Sequence, residues 1–257
     1  MNILVSNDDG INAEGIVRLT EVLSGLGDVY VFAPDGQRSA NSQALSIHED
    51  IVIKRIPAGD YPYAREAYSV SGTPADCVKM GIDLLRRRGI ETDVVYAGIN
   101  HGGNLGSDTM YSGTVSAAAE GAFEGKPAVA VSVNSHTPHY FEGCLALAEK
   151  ILPFAMKTAG KGQVISINTP DIPLDEIKGV VPVKLGELKY DQWFKVIDET
   201  EDSITYRYAG EPVESESWDD ETDALMIRQG YATVAVVRYD LNDYEGLEEI
   251  KKWEIKL

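Results

Sequence analysis

Short apolar runs alternate with helical periodicity through the first two-thirds of the chain. The apolar run at residues 3–6 stops at a polar loop, and Ile16, Leu19 and Leu23 then recur as on one face of a helix. Because strands that alternate with helices pair in parallel through right-handed crossovers, this pattern predicts an α/β fold with a doubly wound sheet. The predicted strands are 3–6, 29–33, 93–97, 128–133 and 164–167, with extended chain over 43–57 and 61–70.

A capping pattern marks one predicted helix start, and a run of small residues follows another. Thr73 precedes Pro74, and Asp76 lies in the first turn, where a negative charge suits the helix dipole. Ser112 stands at the start of a second helix, which is rich in small residues and is therefore expected to pack closely on the sheet. A third helix is predicted over 140–158.

The pattern changes near residue 180. Residues 185–207 are typical of a long hairpin with an acidic tip, residues 232–239 of a strand, and residues 244–257 of a terminal helix. A long hairpin has little core of its own, which favours a role in subunit contacts. We therefore predict a catalytic core over residues 1–180 and a C-terminal extension over 181–257 at a subunit interface.

The charge of the chain limits its partners. The formal net charge is −18 over 257 residues, so the surface repels nucleic-acid polymers and anionic membranes, and binding to either is not expected. A phosphorylated substrate needs local positive charge on such a protein. A bound cation would supply it.

The cysteines and the chain start favour a cytoplasmic protein. Cys77 and Cys144 lie in apolar helical patterns outside any CxxC motif, so buried free thiols are expected rather than a disulfide or a zinc site. The first residues lead directly into a strand, without the pattern of a signal peptide. No apolar run of 18 residues predicts a membrane span.

Three polar loops follow predicted strands, at the edge of the sheet where open α/β folds bind ligands. The first contains Asp8 and Asp9, two adjacent carboxylates that repel each other unless a cation lies between them. The second contains Ser39 and the third Asn100. Carboxylate, hydroxyl and amide oxygens without thiolates suit Mg²⁺, Mn²⁺ or Ca²⁺, and such an ion can polarise a phosphoryl oxygen and activate a bound water.

A candidate anion site lies at the start of the small-residue helix. Ser112, Gly113 and Thr114 offer backbone N–H groups at a helix N-terminus beside two hydroxyl groups. Opposite a metal ion, this turn would hold phosphate oxygens as charge builds in the transition state.

Four segments, in this order, resemble the SurE (survival protein E) family of metal-dependent 5′/3′-nucleotidases and acid phosphatases. They are ILVSNDDGINAEGI, VFAPDGQRSANS, SGTPADCV and AGINHGGNLGSDTMYSGTVSAAAEG, and the resemblance spans roughly residues 1–135. It implies a Rossmann-like, mostly parallel sheet with a C-terminal extension exchanged between subunits of dimers and tetramers. It implies further that the metal ligands are Asp8, Asp9, Ser39 and Asn100, and that Asn7, Asn104 and Ser112, Gly113 and Thr114 line the phosphate pocket.

The resulting expectation is a divalent-metal-dependent phosphomonoesterase that converts nucleoside monophosphates, 5′ and also 3′, to nucleoside and phosphate. One divalent ion per subunit is expected, Mg²⁺ or Mn²⁺ in function and Ca²⁺ as an alternative in a crystal, in a homodimer or homotetramer. Asp8 and Asp9 are the catalytic candidates. Attack by a metal-activated water and direct attack by Asp8 both remain open. His101 follows Asn100, but the resemblance assigns it no role.

Simpler interpretations exist for each residue. Asp8 and Asp9 alone could form a solvated turn, Ser39 could cap its own loop, and Asn100 could be a turn residue. His48, His136 and His139 have no ligand spacing and are expected to be ordinary histidines.

Two other function classes are alternatives to phosphomonoester hydrolysis. A signalling receiver would need a lysine after the strand at 128–133, where the chain has Asn134 and Ser135. A nucleotide-binding module without catalysis would lack phosphate release, and the chain has neither a GxGxxG nor a P-loop motif.

Overall fold

A central nine-stranded sheet organises the computed structural model, which describes residues 1–210, 212–213 and 221–253. The helices are α1 (Glu14–Ser24), α2 (Pro74–Arg87), α3 (Gly113–Phe123), α4 (Glu142–Ala155), α5 (Asp223–Arg228) and α6 (Tyr244–Ile250). The strands are β1 (Asn2–Ser6), β2 (Asp28–Pro34), β3 (Ile53–Ile56), β4 (Glu66–Val70), β5 (Val94–His101), β6 (Ala128–Val133), β7 (Gln163–Thr169), β8 (Val180–Pro182), β9 (Lys189–Tyr190), β10 (Phe194–Glu199), β11 (Ile204–Tyr208), β12 (Pro212–Val213) and β13 (Ala232–Arg238).

The strand order in the main sheet is β3-β4-β2-β1-β5-β6-β7-β13-β8. The six strands from β4 to β7 run parallel, whereas β3 and β13 are antiparallel to their inner neighbours. The chain leaves β1 towards β2 on one side and later returns to β5 on the other. The order therefore reverses at β1 and β5, and the crevice beyond their carboxyl ends is the expected ligand site of such a sheet. The predicted α/β, mostly parallel fold is confirmed.

Two apolar cores cover the two faces of the sheet. One packs α1 and α4 on the sheet through side chains such as Ile16, Leu19 and Cys144. The other packs α2 and α3 on the opposite face through Val78, Leu85 and the alanines of α3. The predicted close contact of the α3 alanines with the sheet is confirmed, because Ala117, Ala118 and Ala119 are fully buried. Both cysteines are buried free thiols, also as predicted.

The predicted cap of α2 is confirmed in detail. The Thr73 Oγ1 accepts a hydrogen bond from the Asp76 backbone N–H at 3.1 Å, and an Asp76 carboxylate oxygen accepts one from the Thr73 N–H at 2.9 Å. This reciprocal pair satisfies two helix N–H groups that would otherwise lack a partner, a stabilisation of about 1 kcal/mol.

Two predicted elements differ from the structure, and two further short elements were not predicted. The third strand was expected to end at residue 97, but β5 continues to His101, because pairing with β6 resumes at Asn100–Ser132 after an irregularity. The extended chain predicted over 43–57 forms a strand only at Ile53–Ile56, the part that pairs with β4. Short strand β8 and helix α5 carry too few residues for a periodic signal and were not predicted.

The C-terminal part of the chain divides between the main sheet and an exposed arm. Strand β13 joins the sheet between β7 and β8, so the sheet includes residues on both sides of position 180. Strands β10 and β11 form the expected hairpin over a shorter stretch than predicted, residues 194–208 instead of 185–207. Every residue of both strands is exposed. The terminal helix covers Tyr244–Ile250, and residues 254–257 of the prediction lie outside the described part of the chain. The role of the C-terminal extension, residues 181–257, at a subunit interface stays a prediction.

Across the described ranges, no helix is both long enough and apolar enough to cross a bilayer.

Candidate functional site

The loops after β1, β2 and β5 meet at the carboxyl edge of the sheet because these strands are neighbours in the order β2-β1-β5. A cavity of about 940 Å³ opens there. Of the nine residues predicted for the site, five line this cavity: Asp8, Ser39, Asn100, Asn104 and Ser112. Neighbouring strand ends thus bring together residues that lie up to 104 positions apart in the sequence.

Asp8 is the most buried acidic group of the site. Only 4% of its surface is exposed. Burial raises the pKa of Asp8 from its ordinary 3.8 to about 6, against the hydrogen bond that the Thr114 hydroxyl donates to Oδ1, and the negative charge of Asp9 raises it further. A carboxylate held in this way is poorly solvated and favours a cation as its partner.

Asp9 adds a second carboxylate beside the first. Its Oδ2 accepts a hydrogen bond from the His101 backbone N–H at 3.0 Å, which ties the loop after β1 to the end of β5. Burial raises the pKa of Asp9 as well, although that hydrogen bond and the nearby His101 and His136 oppose the rise. Within residues 1–210, 212–213 and 221–253, no lysine or arginine is among the main groups that act on the pKa of Asp8 or Asp9, although Arg228 also lines the cavity.

Asn7 closes the loop that carries the two carboxylates. Its side chain donates to the Gly10 carbonyl at 3.0 Å and accepts from the Gly10 N–H at 3.2 Å, and the residue is fully buried. Gly10 has φ +101°, a left-handed conformation that glycine adopts without strain. Asn7 therefore shapes the loop, and the cavity lining does not include it.

Asn100 and Ser39 supply neutral oxygens on either side. Asn100 Nδ2 donates to the Gly102 carbonyl at 2.6 Å, so the amide oxygen is the atom that remains to bind a ligand. Ser39 is exposed on the loop after β2, where its Oγ accepts from Gln37 Nε2 at 2.9 Å. The loop is anchored beyond Ser39 by the Ser42 hydroxyl, which donates to the Met110 carbonyl at 2.7 Å.

The N-terminus of α3 faces this group. The helix starts where the sequence predicts, with Ser112 as its N-cap residue, and the Ser112 Oγ accepts from the Val115 N–H at 3.0 Å. Gly113 lies directly against Asp8 and Thr114 bonds to it, so both stand behind the carboxylate rather than on the cavity wall. Free N–H groups at this helix end can bind an anion beside the carboxylates only if a cation screens the negative charge.

Asn104 is held by a residue that the sequence did not single out. Asn168, on β7, accepts from the Asn104 N–H at 2.8 Å and donates to the Asn104 carbonyl at 3.2 Å. The Asn104 side chain donates to Ser132 Oγ at 2.8 Å. These contacts fix the glycine-rich loop after β5 from two further strands.

His136 was expected to be an ordinary histidine, but the structure places it in the cavity lining, beside Gly102. The sequence held one signal for a place of His136 in the site: it lies three residues after β6, and β6 neighbours β5 at the same edge of the sheet. His101 also lines the cavity. Its ring Nε2 is buried and makes no hydrogen bond to the described residues, so these residues leave its hydrogen-bonding capacity unused.

Gly113 gives a direct test of the position of Asp8. A Cβ atom at residue 113 would lie 2.8 Å from both Cβ and Oδ2 of Asp8, closer than such atoms approach. The variant Gly113→Ala is therefore expected to displace Asp8 and lower kcat about 100-fold, since displacements near 1 Å have effects of this size. Steady-state phosphate release from a mononucleotide measures it.

Gly36→Ala is the matched control for this variant. Gly36 lies on the loop after β2, and a Cβ there meets no atom within 4 Å, so activity should stay within about twofold of the wild type. Full activity in Gly113→Ala, with an unchanged fold by circular dichroism, would show that the position of Asp8 is unimportant.

Comparisons with known proteins agree with one another. A family model described as "Survival protein SurE" matches residues 3–192. The "5'-nucleotidase SurE" of Petrotoga mobilis is 37% identical over 254 residues, which cover 98% of this chain and 99% of that protein. The protein of the same name from Synechococcus sp. is 39% identical over 259 residues, covering 98% and 97%. The crystal structure of the SurE protein from Aquifex aeolicus superposes with a TM-score of 0.83 at 31% identity and covers 98% of both chains.

Proposed function

Because the chain belongs to the survival protein SurE family, we propose that this cavity is the active site of a divalent-metal-dependent nucleotidase. Membership of the family makes the chain a phosphomonoesterase of the 5′-nucleotidase type. The proposal adds the metal, the residues that hold it, and 3′-nucleotides as further substrates. The observation that carries it is the buried Asp8 carboxylate beside Asp9, two negative groups for which no lysine or arginine of the described residues is among the main groups that act on the raised pKa, by hydrogen bond or by charge.

The proposed metal ligands are carboxylate oxygens of Asp8 and Asp9, Ser39 Oγ and the amide oxygen of Asn100. This donor set contains only oxygen, which suits Mg²⁺ or Mn²⁺. When bound, the ion supplies positive charge that polarises a phosphoryl oxygen and activates water.

The proposed phosphate position lies between the carboxylates and the start of α3. Ser112, the residue of the Ser112–Thr114 turn that lines the cavity, would contact the phosphate oxygens, and Asn104 would contribute from the opposite loop. Thr114 holds Asp8 through its hydroxyl group, which keeps the carboxylate from turning away. These residues orient the phosphate and stabilise its charge as the ester bond breaks.

The nucleoside, as leaving group, would occupy the remaining cavity. Its volume of about 940 Å³ is much larger than a phosphate group needs. This spare room is the reason to include 3′-nucleotides, since the nucleoside can take another orientation while the phosphate stays in place.

Phosphate release from a panel of substrates tests the proposal. The panel holds 5′- and 3′-mononucleotides, short polyphosphate and an aryl phosphate, each with Mg²⁺, Mn²⁺ or Ca²⁺ and with chelator. We expect release from mononucleotides with Mg²⁺ or Mn²⁺ and none with chelator. Undiminished release in chelator would refute the metal dependence, and a covalent phosphate trapped on Asp8 would replace water attack by direct attack.

We also propose that the chain forms a homodimer or homotetramer through the hairpin β10–β11. Its side chains Val196, Ile197 and Ile204 are 45–47% exposed, an apolar surface that water solvates poorly. Ile204→Lys should therefore shift the species seen by light scattering towards the monomer. An unchanged mass in this variant and in Ile197→Lys would place the contact elsewhere.

A further inference from the structure

Part of the active-site cavity is lined by residues to which the proposed metal and phosphate positions assign no role. Four aromatic side chains from the C-terminal part of the chain line it: Tyr190, Trp193, Phe194 and Tyr208, called here the aromatic wall. They lie at least 78 positions after Ser112 in the sequence, yet they share one cavity with Asp8, Ser39 and Asn100.

The rings of the aromatic wall are not part of a core. Trp193 is 53% exposed, Phe194 59% and Tyr208 60%. Tyr190 and Trp193 meet at 5.9 Å and 53°, and Phe194 and Tyr208 at 5.7 Å and 86°, so neither pair is stacked face to face. Large rings exposed in a concave site are available to a flat ligand.

Hydrogen bonds connect the chain segment of the aromatic wall to the segment that precedes α3. The Tyr190 hydroxyl donates to Asp108 Oδ2, and Ser107 Oγ bonds both the N–H and the carbonyl of Leu188 at 3.3 Å. Ser107 and Asp108 belong to the short 3-10 helix Gly106–Met110, which ends two residues before Ser112. These contacts set the aromatic wall at a fixed place relative to the proposed phosphate position.

We propose that the aromatic wall binds the base of the nucleotide by stacking, with Trp193 as the main surface. This inference rests on the proposed function and deepens it, because it assigns the part of the cavity that selects nucleotides over other phosphate esters. A flat, uncharged base suits the site, since stacking needs no positive charge on a protein of net charge −18. The phosphate would be held at one end of the cavity and the base at the other.

Kinetics with and without the base tests this role. The measured quantity is the ratio of kcat/KM for 5′-AMP to that for ribose 5-phosphate, which lacks a base. Trp193→Ala should lower this ratio about 10- to 100-fold, the effect expected for one stacked base. Trp193→Phe keeps an aromatic face and should restore most of it.

Trp253→Ala is the matched control, because Trp253 is 59% exposed but does not line the cavity. It should leave the ratio within about twofold of the wild type. If Trp193→Ala slows both substrates equally, or changes only the oligomer mass seen by light scattering, the aromatic wall is a structural or subunit contact and the proposal is wrong.

Equilibrium dialysis with adenosine separates this proposal from the proposed function. Adenosine carries no phosphate, so its binding does not depend on hydrolysis. Binding to the wild type that is lost in Trp193→Ala and kept in Trp253→Ala would support the base site even if no phosphate ester were cleaved. Equal binding by the wild type and Trp193→Ala, or binding by neither, would overturn the base site while leaving hydrolysis intact.

Discussion

Asp8→Asn is expected to lower kcat/KM for metal-dependent phosphate release by about 1000-fold. Asparagine keeps the size of the side chain but removes one of the two charges that hold the cation, and a cation contributes several kcal/mol to the stabilisation of a phosphoryl transition state. The hydrogen bond from Thr114 survives, because an amide oxygen also accepts. The loss should therefore come from chemistry and not from unfolding.

Asp83→Asn is the control for this change. Asp83 lies on α2, remote from the cavity lining, and its carboxylate pairs with Arg87 at the surface. Exposed pairs of this kind contribute little, so activity and stability should stay near those of the wild type. If the Asp8→Asn variant retains more than a tenth of wild-type activity at saturating Mn²⁺, Asp8 is not a metal ligand.

Removal of divalent ions is expected to make the stability of the wild type fall as the pH rises. Burial raises the pKa of Asp8 in the folded protein to about 6, above its ordinary 3.8. Between these values the folded state binds the proton more tightly than the unfolded chain, so stability is present at low pH and is lost as the pH passes 6. The two values differ by about 2 units, which gives at most about 3 kcal/mol.

Urea unfolding at pH 5 and pH 8, in EDTA and in excess Mn²⁺, measures this dependence. In EDTA at pH 8, Asp8→Asn should be more stable than the wild type, and at pH 5 the difference should shrink. Mn²⁺ at 100 times its Kd should stabilise the wild type by about 2.7 kcal/mol and Asp8→Asn much less. Identical unfolding curves with EDTA and Mn²⁺ would show that no ion binds the folded protein.

The sequence predicted the elements that carry the candidate site, because local patterns are sufficient for that purpose. Short apolar runs marked the inner strands, a period of 3.6 residues marked helices, and the cap at Thr73 appears as predicted. The polar residues directly after strands were the candidates for the site. The resemblance to the SurE family then assigned roles that spacing alone left open.

Only the tertiary structure decided which of these loops meet and what joins them. The strand order places Asp8, Asn100 and His136 at one edge, and β13 returns to the sheet from the far end of the chain. In the tertiary structure the Asn7 side chain bonds to the Gly10 backbone and does not line the cavity. Trp193, which the sequence placed in a separate hairpin, lines the cavity. Sheet order and cavity walls depend on pairing between distant residues, and a single sequence records such pairing only through apolar patterns that many partners can satisfy.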